Sequence, residues 1–223
     1  MAYKLAENAP VKLESAALLV IDMQQQFRHT AARLLPTLIP LISEFTKHGR
    51  PVIFTQHGHL LDTDNSQLVK WWGAQGSIKR FSPAWQLMPE LLPFSDDLSI
   101  PNVHVLRNKD RYDAFLHTGL DRLLESLGVT SVVITGTLTN LCCETTARTA
   151  FNLDYYVYFP SDGTATHTAI FHEASLTNLR FGFAQITTVA NLMSALHLLP
   201  VPVVENRKLH RSMTATRVHN SKN

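Results

Sequence analysis

Residues 132–150 read VVITGTLTNLCCETTARTA. An apolar strand runs into a glycine turn and then into a helix with two cysteines in its first turns. These are the only two cysteines of the 223-residue chain. A thiol at a helix start, just beyond a strand end, sits where α/β proteins place nucleophiles. Cys142 and Cys143 are neighbours on that helix, so their side chains diverge by about 100°. One thiol can face a substrate, and Cys143 is read as core packing.

The flanking chain repeats the strand–helix alternation. Residues 16–22, AALLVID, form an apolar run ending in an acid, as expected of a central parallel strand buried on both faces. Apolar residues at helical spacing over 34–48 predict a helix stopped by Gly49. Short strands are expected at 51–55, 102–106, 130–135, 155–159 and 184–189, and helices at 118–127, 139–153, 168–181 and 191–198. Thr118, three residues before Asp121, reads as a capping-box start. Residues 56–101 are rich in Pro, Gly and Ser, contain all three tryptophans, and read as an irregular lid or pocket wall. Alternating strands and helices predict a three-layer α/β/α fold around a doubly wound parallel sheet, with ligands beyond the carboxyl ends of its strands. No internal repeat or linker divides it, so one domain is expected over 1–204, followed by a basic extension over 205–223.

The chain is 45% hydrophobic, enough for a substantial core, and its formal net charge is only +2, too small to recruit nucleic acid through a global field. The stretch 205–223 carries five cations against one acid, a net +4, so the rest of the chain sums to −2. Without aromatic interleaving, that extension reads as solvated or subunit-docking. No run approaches a membrane span, and the first residues do not resemble a secretion signal. Two adjacent cysteines are no disulfide framework, and a reducing, cytoplasmic location is expected. Glycine-rich dinucleotide and P-loop motifs are absent, as is a G-x-S-x-G elbow.

Three residues converge on one sheet edge in this reading. Asp22 ends the first strand, Lys109 follows the third in LRNKDRYDAF, and Cys142 follows the fourth. An acid can serve as general base, and a lysine can keep that acid ionised. Helix N-termini and cations stabilise thiolates and can lower a thiol pKa, while cysteine is also among the most buried residue types, so Cys142 reads equally as a reactive thiol or as an inert core thiol. The Cys142 N–H and one more from the Gly136–Thr139 turn supply a candidate oxyanion hole.

The ordered pieces LLVIDMQQQF, PVIFTQH, NKDRYDAF, TGLDRLLESLGV, VVITGTLTNLCCETTARTAF and SDGTATH…HEASLTNL resemble the isochorismatase-like cysteine hydrolases across about residues 16–189. The resemblance implies a six-stranded sheet in the order 3-2-1-4-5-6 and a catalytic triad of Asp22, Lys109 and Cys142. It further implies a cis peptide between Thr137 and Leu138, with an oxyanion hole from the amides of Leu138 and Cys142. It implies a small amide or ureide substrate, no cofactor, and a homodimer or homotetramer. Retention of the thiol favours C–N cleavage over the vinyl-ether hydrolysis that some members perform with the aspartate alone. A non-enzymatic thiol redox or binding module is another alternative, and an RNA- or partner-binding role of the basic extension is a third.

Metal-bearing members resemble T-x-D-x-H followed by D-H after the second strand. This chain has Thr55, His57 and His59, then Asp62 and Asp64, so His57 and His59 are weak metal candidates and no metal is expected. Phe27, Trp85 and Tyr112 are candidate pocket walls, and Gln56 is a candidate polar contact for substrate. His167 and His172 read as a turn residue and a helix packing residue.

Overall fold

The computed structural model describes residues 11–60 and 62–201. The extension expected over 205–223 lies outside the described residues. Seven strands form one parallel sheet: β1 (Ala16–Ile21), β2 (Val52–His57), β3 (Val103–Lys109), β4 (Ser131–Thr137), β5 (Tyr156–Pro160), β6 (Thr164–Ala165) and β7 (Gln185–Thr187). The helices are α1 (Arg28–Ala31), α2 (Leu35–Lys47), α3 (Gln67–Gly76), α4 (Leu92–Ser95), α5 (Leu120–Ser126), α6 (Glu144–Asn152), α7 (Ala169–Gly182) and α8 (Val189–His197). The order is β3-β2-β1-β4-β5-β7, with β6 pairing the end of β4. The six expected strands fall in the expected order, and β6 is added.

The run in β1 is apolar throughout because both of its faces are buried. Ala16, Leu18 and Val20 enter one core with residues of α2 and α8, while Ala17, Leu19 and Ile21 enter a second core with residues of α5, α6 and α7. Alternate side chains of a strand point to opposite faces, so a strand clothed on both sides cannot alternate apolar with polar.

Several boundaries differ from those expected. β3 extends to Lys109, so this lysine ends a strand rather than occupying a loop. Residues 56–101 are not irregular: β2 runs to His57, and α3, α4 and short 3-10 turns follow. Ser66 caps α3 by accepting from the Val69 N–H, Gly73 interrupts it at φ 69°, and prolines occupy the first helical positions of later turns. The capping box at Thr118 does not form. Gly119 holds the N-cap position with φ 82°, and Asp121 accepts from the Tyr155 hydroxyl at 2.8 Å instead of reaching back. A tertiary partner outcompetes the local turn there.

The carboxyl ends of β1 and β4 touch backbone to backbone. Gly136 has φ 105°, and a Cβ placed on it would lie 2.1 Å from the Ile21 carbonyl oxygen. Only glycine tolerates both the dihedral and the contact. Gly136→Ala should therefore lose more than about 3 kcal/mol in urea unfolding or fail to fold, whereas Gly128→Ala should lose about 1 kcal/mol, because Gly128 shares a positive φ but faces open space. Equal losses would show that the contact at Ile21 does not constrain the fold.

Candidate active site

Four strand ends meet where β3, β2, β1 and β4 lie side by side. Lys109 ends β3, and its Nζ donates to Asp22 Oδ2 at 2.5 Å across the end of β2. Both side chains are fully buried. Asp22 follows β1 in the left-handed region at φ 48°, a conformation that aspartate tolerates better than most residues. Thr55 of β2 holds it there: its Oγ1 accepts from the Asp22 N–H at 3.1 Å and donates to Asp22 Oδ1 at 2.6 Å. Both carboxylate oxygens thus have donors, as a buried charge requires. Burial alone would depress the Lys109 pKa, but the facing Asp22 carboxylate and the Cys142 sulfur outweigh it and raise the value above the ordinary one.

Cys142 enters from the fourth strand. The Thr137–Leu138 peptide is cis, and residues 139–143 form a π-helical turn before α6. That turn separates the two thiols as expected from helical geometry. Both thiols are buried and within electrostatic reach of Asp22 and Lys109, but only Cys142 shares side-chain hydrogen bonds with them, while Cys143 has its Sγ 3.9 Å from the Thr135 carbonyl oxygen. Both cysteines are free thiols. The lowered pKa that a helix start and a cation can produce is not what the surroundings of Cys142 give. Burial pushes the thiol up to about 12, and Lys109 only partly offsets burial and the neighbouring Asp22. At neutral pH the sulfur is a thiol, and a nucleophile here needs an adjacent base to remove its proton.

The surrounding residues fall into two groups. Gln24, which the sequence reading passed over, is fully buried and ties three segments together. Its Nε2 donates to the carbonyls of His57 at 3.0 Å and Trp85 at 2.7 Å, and its Oε1 accepts from the His57 N–H at 2.8 Å. Its only sequence signal was a polar residue two positions beyond a buried aspartate. Gln56, the candidate polar contact for substrate, donates from its Nε2 to the Trp85 carbonyl at 3.1 Å. Trp85 is buried with its ring against Phe81, and Phe27 packs half-buried against the core that contains Met23 and Met88. Tyr112 accepts from Trp72 Nε1 at 2.7 Å. These two rings, with Trp71, Arg111, Leu116 and Leu141, line an open cleft of about 630 Å³ beside the turn that carries Cys142. His167 and His172 bond Thr30 and Thr139 through their Nδ1 atoms at 3.2 and 3.0 Å.

His57 and His59 approach each other through Nε2 at 3.2 Å, and His59 Nδ1 meets Asp64 Oδ2 at 2.6 Å. Asp64 thus contacts the nitrogen of His59 that faces away from His57. Among the described residues no three His, Cys, Asp or Glu side chains converge on a possible metal position. Structural and catalytic zinc sites use at least three protein ligands, so the residues present do not fit one.

The isochorismatase domain family model matches residues 16–191. Nicotinamidase 3 of Arabidopsis thaliana is 38% identical over 181 residues, covering 81% of this chain and 88% of the relative. The ureidoacrylate amidohydrolase RutB of Enterobacter sp. (strain 638) is 37% identical over 114 residues, covering 50% of this chain and 46% of the relative. A cysteine hydrolase structure from Pseudomonas syringae pv. phaseolicola 1448A superposes with a TM-score of 0.74 at 24% identity, covering 84% of this chain and 95% of that one.

Two outcomes follow from the electrostatics. Lys109→Met should cost about 3–5 kcal/mol in urea unfolding at pH 7, because it strands the Asp22 carboxylate. A cost below about 1 kcal/mol would mean that the pair is not a buried charge pair. Alkylation of Cys142 should accelerate steadily with pH between about 6 and 9, the behaviour of a thiol held near pKa 12. A rate plateau inside that range would reveal a preformed thiolate.

Proposed function

The chain belongs to the isochorismatase domain family, and we propose that it is a cysteine-dependent amidohydrolase cleaving a C–N bond of a small amide or ureide. The observation that carries this reading is the buried Lys109–Asp22 pair beside a protonated Cys142 thiol. Relatives named nicotinamidase and ureidoacrylate amidohydrolase support the substrate class.

In this mechanism Asp22 removes the proton of Cys142, and Sγ attacks the substrate carbonyl carbon. Lys109 holds the carboxylate in place and offsets negative charge as the thiolate forms. The oxyanion is assigned to the backbone N–H groups of Leu138 and Cys142. The tetrahedral intermediate collapses with cleavage of the C–N bond. The proton on Asp22 passes to the departing nitrogen, which leaves as ammonia or an amine. Asp22 then takes a proton from water, the resulting hydroxide attacks the thioester, and the proton returns to the sulfur as the acid product leaves. No metal or cofactor enters these steps. Tyr112 and the cleft around it serve as the wall facing the acyl group, with Phe27 and Trp85 as supporting packing.

The reading includes a reducing, cytoplasmic setting, one catalytic domain through residue 204 with a basic extension after it, and assembly as a homodimer or homotetramer. The exposed face of α3, where Trp71 is 75% exposed, is a candidate contact for that assembly. Sedimentation of a Trp71→Ser variant would test the contact: an unchanged assembly state would exclude α3.

The decisive experiment is a screen of small amides and ureides for ammonia release. Wild-type protein should turn over at least one of them. Cys142→Ala and Asp22→Asn should each fall by about 10³-fold or more while keeping the wild-type fold by circular dichroism. Full ammonia release by Cys142→Ala would refute a thioester route.

A further inference from the structure

A second cavity, of about 380 Å³, shares no lining residue with the cleft beside Tyr112. Its walls come from the turn after α1, from the loop between β5 and β6, and from the chain that runs from β6 into α7. Thr164 lines it from β6. This residue is 2% exposed, and its Oγ1 is buried with no hydrogen-bond partner among the described residues. A threonine hydroxyl can donate as well as accept. Buried polar atoms are paired in almost all native proteins, so an orphan on a cavity wall calls for a ligand atom.

The rest of the wall decides the charge of that ligand. α7 is 14 residues long and starts at this cavity: Thr168 is its N-cap, accepting from the Phe171 N–H at 3.4 Å, and Ala169 lines the wall. The first N–H groups of a helix have no partner within it, and its partial positive charge gathers there. The N–H groups of Ala169 and Ile170 are therefore open to a ligand. Arg33 adds a guanidinium from an exposed position and enters no ion pair among the described residues.

The acidic side of the wall is already engaged. Its one carboxylate, Asp162, accepts from the Val189 N–H at 2.7 Å where α8 begins. That helix start offsets the negative charge. Thr166 directs its own proton to Asn140 Oδ1 at 2.6 Å. Asp162 and the two rings of the wall, His167 and His172, do not form a cation site, since no three such side chains converge on a metal position among the described residues.

We propose that this cavity binds a small oxyanion of the phosphate class. Arg33 supplies the cation, the start of α7 supplies N–H donors, and Thr164 supplies the buried hydroxyl. Helix N-termini suit such groups because their free N–H donors and their partial charge act on the same ligand. Two residues of the wall also hold the turn that carries Cys142: His172 Nδ1 meets Thr139 Oγ1 at 3.0 Å, and Thr166 bonds Asn140. A bound oxyanion thus lies against the side chains that fix that turn.

The probe is inorganic phosphate, titrated into ¹⁵N-labelled full-length protein at constant ionic strength with chloride as the anion replaced. The amide signals of Thr164, Ala169 and Ile170 should shift along one saturable curve. Thr164→Val keeps the shape and removes the hydroxyl, and it should raise the Kd about 10-fold or more, as loss of a hydrogen bond to a charged group does. Ala169→Pro removes one N–H at a position where proline suits a helix start. It should raise the Kd by a similar factor, and it carries the test if Thr164→Val does not fold. Arg33→Gln should weaken binding as well. Shifts that never saturate, or that saturate only elsewhere in the molecule, would overturn the site. So would binding that is lost in Arg33→Gln yet unchanged in Thr164→Val and Ala169→Pro, the behaviour of an ion attracted to an exposed arginine. The titration needs no turnover, so its outcome stands apart from the reaction assigned to Cys142.

Discussion

Two opposite charges, Lys109 and Asp22, are buried completely in contact at 2.5 Å. Such a pair is tolerable only where every lone pair and proton of both groups finds a partner, and this requirement organises the carboxyl edge of the sheet. Thr55 supplies the second donor to Asp22 and accepts the backbone N–H that its left-handed conformation exposes. The lysine reaches its partner because β3 continues to Lys109, which pairs with His57 of β2 beyond a register shift that follows Thr55. The same pair borders Cys142, so in the proposed mechanism a structural and a chemical role fall on the same atoms.

Burial also sets the chemistry of the thiol. A helix start and a nearby cation both favour a thiolate, yet desolvation of Cys142 is the larger effect and keeps it protonated. In the proposed mechanism it is the Asp22 carboxylate of the ion pair that accepts this proton. That proposal divides the work among three buried groups in place of a preformed nucleophile. Around them, Gln24 clamps the segment after β1 to the ends of β2 and the Trp85 loop through three hydrogen bonds to main-chain atoms. The walls of the site are thus held by main-chain contacts rather than by the aromatic side chains alone.

Much of the fold was legible because the sheet is covered on both faces. The apolar runs at 16–21 and 132–134 are continuous, and glycine or polar residues end them. The three residues at the strand ends were legible as well, since each is a reactive type directly beyond an apolar run. What escaped were features decided by distant partners. Asp121 bonds Tyr155 rather than its own helix start, Gln56 bonds Trp85, and Gln24 looked like one polar residue among three. The order within 56–101 was hidden because proline and glycine, read as breakers, serve there as helix starts and as a kink.

The sequence by itself determined the layers, the strand order implied by its resemblance, and the placing of Asp22, Lys109 and Cys142 at one sheet edge. Local patterning suffices for this, since periodicity reports which faces are buried. Only the tertiary structure decided the burial that holds Cys142 protonated and the bond from Gln56 Nε2 to the Trp85 carbonyl. Each depends on desolvation or on a hydrogen-bond partner far away in the chain, and neither leaves a trace in the residues on either side.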